Sequence, residues 1–475
     1  MATFFIENFG CRATEADAAS LRRSLRAAGL QMLDEPAGAD VVVLNTCTVT
    51  AAADSQARDA VRKIHRTNPS ACIVVTGCYA QRAPEELAAL DGVSWVIGNS
   101  HQTEIPRVIR EGLMSGGESP TAATDSSGAW SKDFIPLARL DDEAMSLTRG
   151  PAKILTGDIF AQTSVQVAPV EGTEAIAGDR TRPILKIQDG CNNRCSYCVI
   201  PFVRGPSRSL VPDLVIEVVR RLVAAGAKEV VLSGINLGAY GRDLVPRVEL
   251  AQVVRRILDE TPLEQLRFSS IEPQDVTEGF IALVAASPRI ARHFHVPLQS
   301  GSNRILRAMH RWYRAEHYAE RIKLIRRTLP DAAIGADVIA GFPGETDEDF
   351  RATFEFIERL PFTYLHVFSF SSRPGTKAVD LGAPVPAGIT RERTRALRAL
   401  GQRKAAAFRK LQAGRSLRAL TLKKGGDTWT EALTGNYLKV CVASRLPANV
   451  WCEAQISVEQ EDGRAELAAA FSSRR

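Results

Sequence analysis

Residues 189–198 read "DGCNNRCSYC" and place three thiols within eight positions: Cys191, Cys195 and Cys198. A structural zinc site takes four ligands and usually spaces its thiols in pairs. A disulfide framework would use an even number of cysteines in a small secreted chain. Neither arrangement matches this spacing, so the chemistry of the three thiols has to be inferred from the rest of the chain.

The bulk composition is typical of an ordinary soluble protein of more than one domain. A length of 475 residues favours two to three domains, and 45% apolar with 24% charged residues is usual for globular proteins. The N-terminus lacks a secretory signal pattern, and no stretch approaches the roughly 20 apolar residues that a membrane helix needs. We therefore expect a cytoplasmic protein without a membrane segment, whose nine cysteines are ligands or buried thiols.

Residues 1–115 alternate strand-like and helix-like runs. Four β-rich runs are present, "TFFIEN", "DVVVLN", "CIVVTG" and "SWVIG", with helical periodicity between the first two. This alternation predicts an open parallel α/β sheet covered by helices. Residues 116–182 lose the periodicity and are rich in Gly, Ser, Thr, Pro and Ala, which predicts a long, partly disordered linker.

The alternation resumes in residues 183–411 and runs through six β/α units. The predicted strands are "PILKIQDG", "EVVLSGIN", "QLRFSSIE", "HFHVPLQS", "AIGADVIAG" and "YLHVFSFS". Because six units are two short of a closed eight-fold barrel, we predict a partial (β/α)6 barrel. "GETDEDF" predicts a helix start capped by Thr346. Residues 412–475 change to short alternating strands, which predicts a small all-β barrel of the oligonucleotide-binding type.

Three N-terminal cysteines occupy equivalent places. Cys11, Cys47 and Cys78 follow the runs "FFIENFGC", "VVVLNTC" and "IVVTGC", each at or just beyond the end of a predicted parallel strand. Ligands bind at that edge of open α/β sheets, so we expect the three thiols to converge there. Cys72 opens its strand and belongs at the opposite edge. We interpret Cys72, Cys441 and Cys452 as small buried hydrophobes.

Both cysteine groups are triples, and none of the seven histidines lies in either set of loops. Iron–sulfur clusters of the [4Fe–4S] type normally take four cysteine thiolates. Three ligands would leave one iron open to a small molecule, by the logic that separates catalytic from structural zinc sites. The position without a fourth cysteine is therefore predicted to be the binding position of that molecule.

The spacing C-x3-C-x2-C at Cys191, Cys195 and Cys198, with Tyr197 before the last cysteine and a partial β/α barrel behind it, resembles the radical S-adenosylmethionine (SAM) superfamily. The resemblance implies that the open iron chelates the methionine part of SAM. Reductive cleavage would then release a 5′-deoxyadenosyl radical.

A narrower resemblance covers nearly the whole chain except the linker. Cysteines in "GC", "NTC" and "GC" contexts, with "QDGCNNRCSYCVIPFVRGPSRS", "HVPLQSGSNRILRAMHR" and "GFPGET", are similar to the methylthiotransferases of that superfamily. The family implies that Cys11, Cys47 and Cys78 hold an auxiliary [4Fe–4S] cluster involved in sulfur delivery. Residues 412–475 look like a TRAM domain, which implies RNA binding.

Short segments indicate the branch of this family. "NTCTVT" and "TGCYAQ" look like the enzymes that act on N6-threonylcarbamoyladenosine at position 37 of tRNA, giving its 2-methylthio derivative. The isopentenyladenosine branch, which is the alternative, continues "NTC" with serine-isoleucine-arginine, and the ribosomal-protein branch with glycine-phenylalanine. The family further implies the tRNA anticodon stem-loop as a partner and an electron donor such as flavodoxin or ferredoxin.

Polar residues at the barrel strand ends are candidates for contacts with SAM or substrate. The family resemblance places Ser233, Gly234 and Asn236 near the methionine amino group, while Glu272 and Gln299 could reach ribose hydroxyls or the target base. Each of these residues could equally bond only its own loop. Further candidates are Phe368 and Phe370 as an adenine or substrate wall, and Arg204 and Arg208 as phosphate contacts.

Residues 391–418 carry ten Lys or Arg and one Glu. Leu397, Leu400, Phe408 and Leu411 fall near helical spacing, which leaves a polar face for tRNA phosphates. The proposed RNA contacts on that face are Arg403, Lys404, Arg409 and Lys410. The alternative is a solvated helix face. A different class of function, a non-catalytic zinc-dependent RNA-binding protein, suits this segment but does not explain six β/α units.

Overall fold

A computed structural model describes residues 1–114, 152–163, 165, 181–461 and 464–472. The chain forms two compact units. The first comprises Met1–Pro169 with Phe202–Gly205, and the second comprises Val170–Pro201 with Pro206–Arg475. Among the described residues, no helix is both long and apolar enough to cross a lipid bilayer.

The first unit is a parallel six-stranded sheet in the order β2-β1-β3-β4-β5-β6, with helices between its strands. The strands are β1 (Thr3–Asn8), β2 (Gln31–Met32), β3 (Val41–Thr46), β4 (Cys72–Gly77), β5 (Val93–Gly98) and β6 (Lys153–Leu155). The helices are α1 (Arg12–Ala27), α2 (Ala51–Thr67), α3 (Cys78–Arg82), α4 (Pro84–Ala88) and α5 (Ile105–Met114). All four strands expected from the sequence are confirmed.

Strand β6 corrects the prediction for residues 116–182. Residues 153–155 pair in parallel register with β5, so this short piece of the predicted linker is part of the sheet. Three residues are too few to show a period of two, which explains why the pattern missed it. Most of the remaining predicted linker lies outside the described residues.

Strand β3 shows why the sheet is covered on both faces. Its six residues are all buried. Val41 and Val43 belong to one hydrophobic cluster, and Val42 and Leu44 belong to another. Because successive side chains of a strand point to opposite faces, the continuous apolar run reflects two separate cores.

Residues 183–411 of the second unit contain six parallel strands and one short antiparallel strand. The strands are β7 (Ile184–Asp189), β8 (Arg208–Ser209), β9 (Glu229–Gly234), β10 (Gln265–Phe268), β11 (His293–His295), β12 (Ala333–Ala340) and β13 (Tyr364–Ser369). They form the sheets β10-β9-β7-β8 and β11-β12-β13, which parallel bridges Leu266–Ile290 and Ser270–His295 connect. The predicted partial (β/α)6 barrel is confirmed.

Helices cover the outer side of these strands. Between β7 and β8 lies α6 (Ile200–Arg204), three of whose five residues belong to the first unit. The covering helices are α7 (Pro212–Ala224), α8 (Leu250–Glu260), α9 (Glu278–Ala286), α10 (Asn303–Ala308), α11 (Ala315–Thr328), α12 (Asp347–Arg359) and α13 (Ala387–Lys410). The predicted cap of α12 is confirmed, since Thr346 and Asp349 form a reciprocal capping box. On β13, Leu365 lies against Gly401 of α13, so its neighbours Tyr364 and His366 face the barrel interior.

The C-terminal part of the second unit is a closed five-stranded barrel in the order β14-β15-β16-β18-β17. Its strands are β14 (Ser416–Gly425), β15 (Thr430–Thr434), β16 (Lys439–Val442), β17 (Trp451–Glu461) and β18 (Arg464–Ser472). The three strands expected from the sequence are confirmed, and the small all-β barrel with them. Cys452 is buried in its core.

A buried arginine of the β/α barrel, Arg267, connects that barrel to the small barrel. Arg267 on β10 donates to Glu229 on β9 at 2.7 Å and to the carbonyl oxygens of Thr434 and Gly435. Tyr437 stacks on His293, with ring centroids 4.1 Å apart. These contacts close the lower end of the β/α barrel with a turn of the small barrel.

Candidate active site

The three N-terminal cysteines lie together at the carboxyl edge of the first sheet, as the strand positions predict. Cys47 and Cys78 are buried, and Cys11 is exposed. Burial, reinforced by the nearby Cys11 and Cys78 thiols, raises the pKa of Cys47 to about 12. Burial likewise raises the pKa of Cys78. The thiols are therefore close enough to oppose one another's ionisation, which a bound cation would reverse.

Two glycines allow this close approach. Gly10 precedes Cys11 with φ +111°, and a Cβ there would lie 2.4 Å from the Cβ of Cys47. Gly77 precedes Cys78 with φ +98°, and a Cβ there would lie 2.3 Å from the Thr46 carbonyl oxygen. Any larger residue would push the cysteine-bearing segments apart.

Arg204 is a residue of this thiol centre that the sequence reasoning misassigned. It is buried in the first unit and donates to Asp17 at 2.7 Å. Its positive charge opposes the rise in pKa of both Cys47 and Cys78. Asn99 also donates to the Cys78 sulfur at 3.5 Å. A buried, paired guanidinium cannot serve as the expected phosphate contact, so that prediction is wrong.

Arg208 is likewise buried, and it pairs with Asp189 at 3.6 Å. The expectation that Arg208 contacts phosphate is therefore also wrong. No local sequence signal distinguishes Arg204 and Arg208 from surface arginines, because their partners come from other parts of the fold.

The second cysteine triple follows β7 in a loop that backbone contacts hold in place. Burial raises the pKa of Cys191 to about 11 and that of Cys198 to about 12, with neighbouring thiols of the triple contributing. Ser196 donates through its backbone nitrogen to the Met309 carbonyl and through Oγ to the Ala308 carbonyl, at 3.1 and 2.8 Å. These two hydrogen bonds hold the loop against the end of α10.

Arg311 is the functional residue that the sequence reasoning missed. Its Nη1 donates to the Cys195 sulfur at 3.2 Å, and its Nη2 forms an ion pair with Glu272. Its guanidinium lies 4.9 Å from the Tyr313 ring centre. The Glu272 carboxylate was expected to contact ribose hydroxyls or the target base. In the structure it binds Arg311, the arginine that contacts Cys195. The quoted motif "HVPLQSGSNRILRAMHR" ends on this residue, which was the available signal.

The end of β9 presents polar atoms without partners. The Asn236 backbone nitrogen donates to Gln188 Oε1 at 2.8 Å, and a Cβ on Gly234 would lie 2.7 Å from the same oxygen. The side-chain oxygens of Ser233 and Asn236 are buried and find no hydrogen-bond partner within the described ranges. Buried polar atoms are normally satisfied, so this edge is suited to a polar ligand.

The other candidates lie on the remaining strand ends. Gln299 adopts φ +67° and its backbone nitrogen donates to the Asp337 carbonyl at 2.8 Å. Tyr197 packs against a cluster that includes Ile305 and Met309, and burial raises its pKa. Phe370 packs on the same cluster, whereas Phe368 remains 43% exposed and free to stack on a base.

The four predicted RNA contacts on the basic helix α13 differ in their exposure and in their protein partners. Lys404 donates to the carbonyl oxygens of Glu358 and Leu360, at 2.9 and 2.7 Å, so its ammonium serves the end of α12. Arg403 and Lys410 are exposed, and Arg409 is partly buried. The apolar face is confirmed at Leu397, Leu400 and Phe408, but Leu411 is 73% exposed and was wrongly included.

The partial barrel, with three thiols in the loop after its first strand, defines a radical SAM protein. The sequence model of the Radical SAM superfamily matches residues 185–357, and that of the Uncharacterized protein family UPF0004 matches residues 3–98. Since it is 34–36% identical to named tRNA methylthiotransferases over 87–96% of its length, the chain belongs to the tRNA methylthiotransferases of the radical SAM superfamily.

A protein of Aquifex aeolicus named threonylcarbamoyladenosine tRNA methylthiotransferase MtaB is 36% identical over 91% of this chain and 95% of its own length. The Bacillus subtilis protein of the same name is 34% identical over 93% of this chain and 90% of its own. A Clostridium tetani protein named tRNA-2-methylthio-N(6)-dimethylallyladenosine synthase is 30% identical over 83% of this chain and 80% of its own length.

Among solved structures, the radical SAM methyltransferase TsrM from Kitasatospora setae, with cobalamin and a [4Fe–4S] cluster bound, superimposes with a TM-score of 0.52. The match covers 80% of this chain and 74% of TsrM at 17% identity. At that identity the similarity is one of fold alone.

Proposed function

We propose that this enzyme transfers a methylthio group to C2 of N6-threonylcarbamoyladenosine at position 37 of tRNA. The observation that carries the proposal is the set of relatives named for this substrate, which are 34–36% identical and cover 87–96% of the chain. The segments "NTCTVT" and "TGCYAQ" around Cys47 and Cys78 resemble the same branch.

The proposed cofactors are two [4Fe–4S] clusters and SAM. One cluster is assigned to Cys11, Cys47 and Cys78, and the other, which takes SAM, to Cys191, Cys195 and Cys198. Each donor set consists of three thiols held close together, and the unpartnered oxygens of Ser233 and Asn236 suit a polar cofactor beside the second set. Bound together, these groups supply one-electron cleavage of SAM and a source of sulfur.

The chain's own residues orient and shield this centre. Arg311 places a positive charge against Cys195 and is itself oriented by Glu272. The Tyr197 ring packs with Ile305 and Met309 and excludes water from one side of the cysteine loop. Low water content strengthens each of these electrostatic contacts.

The proposal includes partners that complete the reaction. The tRNA anticodon stem-loop is the substrate, and a low-potential protein such as flavodoxin or ferredoxin is the electron donor. A cytoplasmic location follows from the presence of tRNA in that compartment.

Nucleoside mass spectrometry of tRNA from a strain lacking this gene tests the substrate. The expected result is loss of 2-methylthio-N6-threonylcarbamoyladenosine with accumulation of the unmethylthiolated nucleoside, restored by the wild-type gene and not by Cys191→Ala. Loss of the methylthio group from isopentenyladenosine instead would support the alternative, which relatives at 30–34% identity carry in their names.

A further inference from the structure

Three polar side chains meet on the inner wall of the β/α barrel, one from each of its last three strands. Nε2 of His295 and Nδ1 of His366 lie 3.0 and 3.3 Å from Oδ1 of Asp337. The register pairs Asp337 with His366 across β12 and β13, which explains their contact. Burial alone would raise the pKa of Asp337, but hydrogen bonds from both imidazoles hold it well below its usual range.

A relay of hydrogen bonds fixes the orientation of this group. His293 Nε2 and the Tyr364 hydroxyl form a hydrogen bond of 2.8 Å, and the same hydroxyl forms one of 3.0 Å with His295 Nδ1. His295 Nε2 then donates to Asp337. Because a carboxylate only accepts, His366 also meets Asp337 through a protonated Nδ1.

His366 is the member of the group that remains available. Its side chain is 50% exposed, whereas His295 is 4% exposed. Within the described part of the chain, Nε2 of His366 has no hydrogen-bond partner. A ring that is held through one nitrogen and presents the other is arranged to contact a ligand.

The position along the wall brings His366 near the second thiol centre. Its neighbour on the same face, Phe368, pairs with Ile339 in the register of β13 and β12. Ile339 packs on the cluster that contains Tyr197, which precedes Cys198. Two residues of a strand span about 7 Å, so His366 lies about 7 Å along β13 from Phe368, the residue at the level of the cysteine loop.

We propose that His366, oriented by Asp337 and His295, contacts the N6 substituent of the target adenosine and selects threonylcarbamoyl over dimethylallyl. This inference rests on the function proposed above. The threonylcarbamoyl group offers a hydroxyl and urea N–H groups, which can donate to Nε2 because Nδ1 carries the ring proton. The dimethylallyl group has five carbons and no polar atom. The exposed face of Phe368 provides an apolar surface for the purine.

The energetic basis is the cost of an unpaired polar group. A site built to hydrogen-bond a polar substituent rejects the apolar analogue, because its own polar groups would then lose water without gaining a partner. An apolar wall discriminates far less strongly between substituents of similar size. This group of three side chains therefore favours the threonylcarbamoyl substituent over the dimethylallyl substituent.

The test uses reconstituted full-length enzyme and two anticodon stem-loop RNAs, one with N6-threonylcarbamoyladenosine and one with dimethylallyladenosine at position 37. His366→Phe should lower kcat/KM on the first RNA about 10- to 100-fold, the usual effect of losing one hydrogen bond to a polar or charged group. The preference for the first RNA should fall by at least about tenfold. His366→Gln, which keeps a hydrogen-bonding group, should recover part of the preference.

His317→Phe on the outer helix α11 is the matched control and should leave the preference unchanged. Iron content is measured for each variant to establish that the cysteine loop is intact. An unchanged preference in His366→Phe overturns the inference, as does a change confined to the KM for SAM. If the wild-type enzyme modifies only the dimethylallyl RNA, the proposed function itself fails, and this outcome is distinct from the other two.

Discussion

Cys72 and Cys78 lie at the two ends of the same stretch of chain, and their surroundings differ accordingly. Cys78 follows β4 and interacts with Cys11 and Cys47, whereas Cys72 opens β4 and packs against a hydrophobic cluster. Burial raises the pKa of Cys72 to about 11, as expected for an ordinary core thiol. The difference supports a ligand role for Cys78 and a packing role for Cys72.

Replacing Cys191, Cys195 and Cys198 together with Ala is expected to halve an iron content of about eight per chain, since we propose that each triple holds a cluster of four irons. SAM cleavage should be lost as well. Iron quantification of the purified protein measures the first effect. Cys72→Ala is the control and should keep its iron, and a triple variant with full iron content would contradict the assignment.

Arg311→Met is expected to destabilise the protein by about 3 kcal/mol, because it removes a buried guanidinium and leaves the Glu272 carboxylate, which is 15% exposed, without its ion pair. Urea unfolding monitored by circular dichroism gives the free energy. Arg292→Gln, which removes an exposed pair with Asp331, should cost no more than about 1 kcal/mol. Similar losses in both variants would show that Arg311 is not a buried anchor.

At the scale of elements, helix α13 combines a packing face with an exposed basic face. Leu397, Leu400 and Phe408 are buried, and Lys404 binds carbonyl oxygens at the end of α12. Arg403 and Lys410 remain exposed. The packing role and the predicted RNA-binding role of this helix therefore belong to different residues.

Arg403→Gln with Lys410→Gln should flatten the slope of log K against log salt for tRNA binding by roughly 2, because each neutralised phosphate contributes about 0.9 on duplex nucleic acid. Filter binding across a salt series measures this slope for cognate and non-cognate tRNA. Lys404→Gln is the control and should lower thermal stability while leaving the slope nearly unchanged. A slope that the double variant does not alter would refute the RNA contact.

At the scale of the whole molecule, two arginines connect the β/α barrel with the small barrel. Arg267 is buried and binds Glu229 together with the turn at Thr434 and Gly435. Arg418 is 48% exposed and binds Glu264 at 2.5 Å. The two contacts differ mainly in their access to water.

Arg267→Met is expected to cost about 1.5–3 kcal/mol and to expose the small barrel to protease, since it removes charge-assisted hydrogen bonds to Glu229, Thr434 and Gly435 and leaves Glu229 with Arg182 as an ion-pair partner. Limited proteolysis with mass spectrometry and chemical unfolding report both effects. Arg418→Gln should cost less than about 1 kcal/mol, because solvent screens an exposed pair. Equal protease resistance of Arg267→Met and the wild type would show that the small barrel is held by other contacts.

The order of strands and helices, the six β/α units and the position of six cysteines at strand ends could all be predicted from the sequence. These features depend on short-range physics: a side-chain period of two in strands, caps such as Thr346, and the common direction of parallel strands. The family resemblance added the cofactors and the substrate class. The short strands β2, β6 and β8 were not predicted, because two or three residues without a longer apolar run carry no periodic pattern.

The side chains that contact those cysteines could be identified from the fold and not from the sequence. Arg204 reaches Asp17 across 187 positions of sequence, and Arg311 reaches Cys195 across 116. The pairing of Asp337 with His366 depends on the register of β12 and β13. Such contacts follow from which faces of distant elements pack together, and a charged residue in a sequence looks the same whether it ends up buried or in water. Burial and partner therefore had to come from the fold.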